Sequence, residues 1–146
     1  MPEPSGLNYR RHSREIALQV LYSLAQGNSS YADTFDLFSH EAPMVQDYAL
    51  MLIRGVQAHE GDIVDLLASR AQHWDLDRIA VVDRVIMSIA VYEMKYGTPP
   101  IKPAIAVNEA VEVAKRFGGQ ESHKFVNGVL RAIGDGGAQG REDADS

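Results

Sequence analysis

The chain contains no cysteine. That excludes disulfides, thiol nucleophiles and any zinc or iron–sulfur site built on thiolates. No apolar run approaches the roughly 20 residues that a membrane-spanning helix requires. The first residues, "MPEPSGLNYRRHSRE", lack the basic-then-apolar order of a secretion signal. A cytoplasmic protein is therefore expected, with no membrane partner. No segment alternates apolar and polar residues between turn signals, which argues against β-structure. Internal repeats are absent, as are the H-E-x-x-H, G-x-S-x-G, P-loop and G-x-G-x-x-G patterns. Nothing in the sequence calls for a cofactor, a metal or an enzyme.

What is present is a length of 146 residues, 45% of them apolar and 23% charged, ordinary proportions for one globular domain. The net charge of −6 argues against blanket affinity for nucleic acid, which usually shows as a basic domain. The charge is unevenly spread, however. Arg10, Arg11 and Arg14 cluster near the start, and the stretch from Lys115 to Arg131 sets four basic residues against the single acid Glu121. Acids crowd the stretch from Asp33 to Asp83 and the tail "REDADS".

Periodicity points to an all-α bundle. Residues 1–7 carry proline and glycine without a period and are expected to be disordered. A first helix is expected from Asn8 as N-cap, burying Ile16, Ala17, Val20, Leu21 and Leu24 and ending at Gly27. A short helix follows near Tyr31–Ser39, capped by Ser30. Pro43 opens the next, with Val45, Ala49, Leu52, Ile53 and Val56 on one stripe. Gly61 separates it from a helix holding Ile63, Leu66 and Leu67. From about Asp77 comes a helix apolar almost all round, with Arg84, Ser88 and Lys95 on a narrow polar side; such a helix is normally central. Pro103 opens another, with Ile105, Ala106, Ala110, Val113 and Ala114 periodic, closed by Gly118-Gly119. The last helix places Val126, Val129, Leu130 and Ile133 on its core stripe. After Gly134 the acidic stretch 135–146 can bury nothing and is expected to be a disordered tail. One domain over residues 8–134 is implied.

The candidates for chemistry are few. Asp83 and Glu93 fall on the apolar side of the central helix, where a carboxylate needs a partner or an edge. An ion pair or cap contact is the simpler reading, a partner contact the alternative. His40-Glu41 and His59-Glu60 read as surface pairs. In "SHKFVNGVL", Phe125 projects to the margin between the core stripe and a far side carrying Lys124, Gly128 and Arg131. An aromatic beside cations suits unpaired bases, which stack on rings while phosphates meet the charges; it is equally compatible with packing. Asn127-Gly128 costs helix propensity. That cost is tolerable if Gly128 admits another backbone and Asn127, like Asn108, bridges a neighbouring element. Tyr22 lies nearly opposite the first helix's apolar stripe, which hints at an interface.

The segments "RRHSREIALQVLYSL", "YALMLIRGV", "WDLDRIAVVDRVIMSIAVYEM", "AIAVNEAVEVAKRFG" and "SHKFVNGVL" together resemble the NusB family of transcription antitermination factors. The resemblance spans residues 8–134, in order and with similar spacing. It implies about seven helices in two helical sub-bundles. It implies binding of boxA, a short single-stranded RNA element of ribosomal RNA leader transcripts, together with NusE, a small-subunit ribosomal protein. The pair joins an antitermination complex on RNA polymerase. By the same resemblance, Arg10, Arg11 and Arg14 and the run Glu121, Ser122, His123, Lys124 and Phe125 match RNA-binding positions. Tyr22 and Asp83 match positions associated with the protein partner. His12 departs from the all-arginine run of some members and thins the basic island. A helix-turn-helix DNA reader turning at Gly118-Gly119, and a dimeric helical module burying Phe125 and Tyr22, are the alternatives.

Overall fold

Prolines set two of the helix starts in the computed structural model of the chain, which describes the backbone of residues 6–27, 31–71 and 79–145 and the side-chain surroundings of 9–27, 32–71 and 79–134. Pro43 and Pro103 each occupy the first turn of a helix, where their missing N–H would have had no intrahelical partner. The described elements are α1 (Gly6–Ala25), α2 (Tyr31–Phe35), a 3₁₀ turn (Asp36–Phe38), α3 (Pro43–Ala58), α4 (Glu60–Arg70), α5 (Val81–Tyr96), α6 (Pro103–Phe117) and α7 (Ser122–Asp145), with no strand among the described residues. The all-α expectation therefore holds.

The expected stripes are the ones that pack. Val45, Ala49, Leu52, Ile53 and Val56 are all buried on α3, and Val126, Val129, Leu130 and Ile133 on α7. On α1, Leu18 joins Ile16, Ala17, Val20 and Leu21, because the helix is contacted by α2, α3 and α5 and its buried sector is wider than one stripe. Helices α2 and α3 pack on α1, and α4, α6 and α7 pack on α5; α5 also touches α1 and α3 and, with a smaller α3–α4 contact, joins the two groups. Gly27, with φ of 99°, ends α1 in the left-handed region that a side chain disfavours.

Several boundaries differ from the sequence reading. α1 starts at Gly6, so Asn8 lies inside the helix and is not its cap; extending a formed helix by one hydrogen bond per residue outweighs the local preference of a cap residue. Gly61 falls in the first turn of α4, which follows α3 directly at His59. There it interrupts nothing, and Glu60 and Asp62 favour that helix start. Ser30 and Asp77 lie outside the described residues. Ser88 is buried, its hydroxyl donating to the Arg84 carbonyl at 2.8 Å, so the polar side of α5 is narrower than expected. Ile105 is 44% exposed, because it sits in the first turn of α6 beside an open groove with Tyr9 and Lys102. α7 runs past Gly134 to Asp145, since extending a formed helix adds one hydrogen bond per residue.

A candidate RNA-binding edge along the first and sixth helices

The first basic cluster begins on α1, and its three arginines have three different fates. Arg14 is buried and its guanidinium binds Glu93 of α5 at 2.9 Å from both Nε and Nη2. Tyr48 of α3 donates its hydroxyl to the same carboxylate in a short hydrogen bond. Burial pulls the Arg14 pKa down, and the hydrogen bonds and charge of Glu93 more than offset it, so the group stays cationic. Burial pushes the Tyr48 phenol well up, and the Glu93 charge adds to that, so it remains a donor. Glu93 therefore resolves as the satisfied ion pair that its place on an apolar face called for.

Arg11 lies at the surface and forms a fork onto Glu109 of α6, at 2.9 Å from Nε and 3.0 Å from Nη2. Arg10 lies half-buried with its guanidinium over the Tyr48 ring, 5.3 Å from the centroid, and over Tyr9 at 5.9 Å. A hydrogen bond with the Tyr9 hydroxyl raises its pKa. Of the three, Arg10 has no carboxylate partner among the described residues.

One further pair sets the direction of the seam. Arg116, near the end of α6, binds Glu15 of α1 at 3.0 Å. Arg11 and Glu15 are one turn apart on α1, and Glu109 and Arg116 two turns apart on α6, so the helices run alongside each other in the same sense. The seam leads from the first basic cluster to Phe117, whose ring lies 5.4 Å below the Arg116 guanidinium, and then to the turn that starts α7. Sequence reasoning missed Glu15, Glu109, Arg116, Phe117 and Tyr48. The signal that could have found the acids is the one used for Glu93: Glu15 and Glu109 are carboxylates on apolar faces, and each needs a cation.

The turn itself is tightly built. Gly118 donates its N–H to the Ala114 carbonyl at 2.8 Å, capping α6, and a Cβ there would lie 2.6 Å from that of Ser122. Gly119 donates its N–H to the Ser122 hydroxyl at 2.8 Å, and that hydroxyl donates to Asp83 at 3.0 Å. Both glycine N–H groups are thus used internally, which favours a cap and turn over an anion site. Ser122 and Asp83 are buried together, and the second Asp83 oxygen has no hydrogen-bond partner among the described residues. On either side of Ser122, Glu121 and Lys124 face solvent and pair at 3.2 Å, while His123 and Phe125 are half-buried. Phe125 packs against the core at its margin, as its projection implied.

The remaining candidates are dispersed. Tyr22 is 41% exposed on α1. His12 and His40 both reach Glu41, at 2.8 and 3.2 Å, on the surface. His59 is not the plain surface group expected: its ring stacks on Tyr96 at 3.8 Å, because the α3–α4 junction crosses the end of α5. Gly128 admits no neighbouring backbone, since a Cβ there would meet nothing within 4 Å. Among the described residues, no group of three histidines or carboxylates could hold a metal, and no helix is long and apolar enough to cross a membrane.

Fold and site together describe a helical binding module, with cations and aromatic rings along one edge and its buried charges committed to holding helices in place. The NusB family model matches residues 11–135, and the chain belongs to the NusB family. The transcription antitermination protein NusB of Bdellovibrio bacteriovorus is 41% identical over 130 residues, covering 88% of this chain and 96% of that protein. That of Bacillus subtilis is 36% identical over 124 residues, 85% of this chain and 93% of its own length. Among solved structures, NusB of T. maritima superposes with a TM-score of 0.79 at 28% identity, covering 92% of this chain and 93% of that one. The chain is thus a transcription antitermination factor of this family, not an enzyme.

Proposed function

We propose that this chain binds boxA-type single-stranded RNA in ribosomal RNA leader transcripts, jointly with the ribosomal protein NusE, and so suppresses premature termination by RNA polymerase in the cytoplasm. The observation that carries the reading is the paired seam of α1 and α6. Arg11–Glu109 and Arg116–Glu15 hold the first basic segment of an acidic protein alongside α6 on one edge, which leads to the turn before Ser122 at the start of α7. Arg10, Arg11, His123, Lys124 and Phe125 are the side chains proposed to touch RNA, with Glu121 beside them. Arg14, Ser122 and Asp83 are positioning residues, since all three are buried and bonded internally. Tyr22 is the exposed group proposed for the protein partner.

A fluorescence titration of U/A-rich single-stranded RNA, with and without the partner, tests this. Phe125→Ala is expected to weaken binding by about five- to a hundredfold, the worth of one stacked base, with helicity retained. Wild-type affinity in that variant would overturn the assignment of Phe125. Equal affinity for duplex DNA would favour the helix-turn-helix alternative.

A further inference from the structure

Gly128 has no structural reason to be glycine. It lies mid-helix and exposed, and a Cβ there would meet nothing within 4 Å. Glycine at an exposed helical site is unfavourable relative to alanine, and the missing side chain makes room for no neighbouring group among the described residues. What it leaves is a gap on the outer surface of α7, between Lys124 and Arg131. These three positions, at i, i+4 and i+7, share one helix face, and its two cations stand about 10 Å apart along the axis.

Beside that face lies a groove between α6 and α7, lined by Pro103, Asn108, Asn127 and Arg131 among others. Neither asparagine side chain has a hydrogen-bond partner among the described residues, so the bridging role expected of them is not what they perform. Arg131 has no acidic partner there either, whereas Glu112 and Glu121 on the same two helices are each met by a lysine. A guanidinium and two open amides converge on one recess, next to a helix face from which a side chain has been omitted.

We infer that this groove is a second nucleotide site, continuing a single RNA strand past the start of α7. The inference rests on the reading above that Phe125 and its neighbours hold RNA. Lys124 and Arg131 take phosphates, and the gap at Gly128 lets the sugar–phosphate chain lie against the helix backbone. Asn108 and Asn127 each offer the adjacent donor and acceptor that a base edge needs. A protein segment would find fewer complements here, since a guanidinium, an ammonium and two amides favour a repeating anion with polar edges.

The test uses the full chain with its partner and three U/A-rich single strands: a short one, and two that are lengthened by roughly four nucleotides, one at the 5′ end and the other at the 3′ end. Wild type is expected to bind one of the longer strands about tenfold tighter than the short one. Asn127→Ala, Arg131→Gln and Gly128→Gln should bind the short strand as wild type does and lose most of that gain. Gly128→Gln should also melt at a higher temperature than wild type, which separates lost contact from lost fold. No gain on lengthening, or a gain that survives all three substitutions, overturns the second site. No binding of even the short strand by wild type overturns the parent reading, and the second site with it. If the variants instead weaken capture of the partner without RNA and leave the gain intact, the groove is a protein surface and the inference is wrong.

Discussion

At the scale of single residues, the buried Arg14–Glu93–Tyr48 cluster ties α1, α3 and α5 together. Removing one charge strands the other in the core, so Arg14→Met is expected to destabilise the fold by about 3–5 kcal/mol in urea unfolding. Arg14→Met with Glu93→Leu should cost distinctly less, because no charge is left unpaired; a double variant as unstable as the single would refute the pairing argument. Tyr48 makes a separate prediction. Its phenol is pushed well above the ordinary value of 10.0 by burial and by the Glu93 charge. The folded state therefore holds this proton more tightly than the unfolded chain. The resulting stability is fully present below about pH 10 and declines as pH rises beyond it, where the unfolded chain ionises first. Melting followed through alkaline pH should show that decline, and Tyr48→Phe should flatten it. Gly55 is a third case: a Cβ there would lie 2.1 Å from the Tyr92 ring, so Gly55→Ala should cost about 1–3 kcal/mol by overpacking.

At the scale of elements, the turn between α6 and α7 depends on Gly118 having no side chain. Gly118→Ala would set a Cβ 2.8 Å from the Ala114 carbonyl oxygen as well as against Ser122, forcing the start of α7 away from Asp83. The expected result is a loss of about 1–3 kcal/mol in stability together with weaker RNA binding, since Phe125 moves with the helix start. A loss of stability with unchanged binding would show that the turn does not position that ring. The helices themselves were legible in the sequence because their apolar stripes repeat at the helical period, as at Val45, Ala49, Leu52, Ile53 and Val56. Their ends were less so. Whether Asn8 caps α1 or Gly61 divides two helices depends on a few tenths of a kcal/mol of local preference, which continued helix formation overrides. The same limit applied to the site. Projection placed Phe125 at the core margin correctly, but the partners of Arg11 and Arg14 lie 98 and 79 positions away, beyond the reach of any local pattern.

At the scale of the whole molecule, the balance of charge sets how RNA can be held. The net charge of −6 opposes approach of a polyanion, and the buried and paired arginines reduce the cations available at the edge. Binding to a single strand releases counterions, so the logarithm of affinity falls with that of salt by about 0.7 per phosphate contacted. With Arg10, Lys124 and Arg131 as the cations of the proposed track that no ion pair between helices holds, the chain alone should show a shallow slope of roughly −2 and weak affinity at physiological salt. A partner that adds its own cations beside Tyr22 and the α1–α6 edge would deepen that slope and tighten binding together. Parallel salt titrations of the chain and of its complex with NusE check this. Lys124→Ala should lower the magnitude of the slope by about 0.7 in both. A steep slope for the chain alone would mean that Arg11 and Arg116 leave Glu109 and Glu15 to meet phosphates. The seam would then open on binding, and a second titration with Glu109→Gln should strengthen RNA affinity instead of loosening the fold.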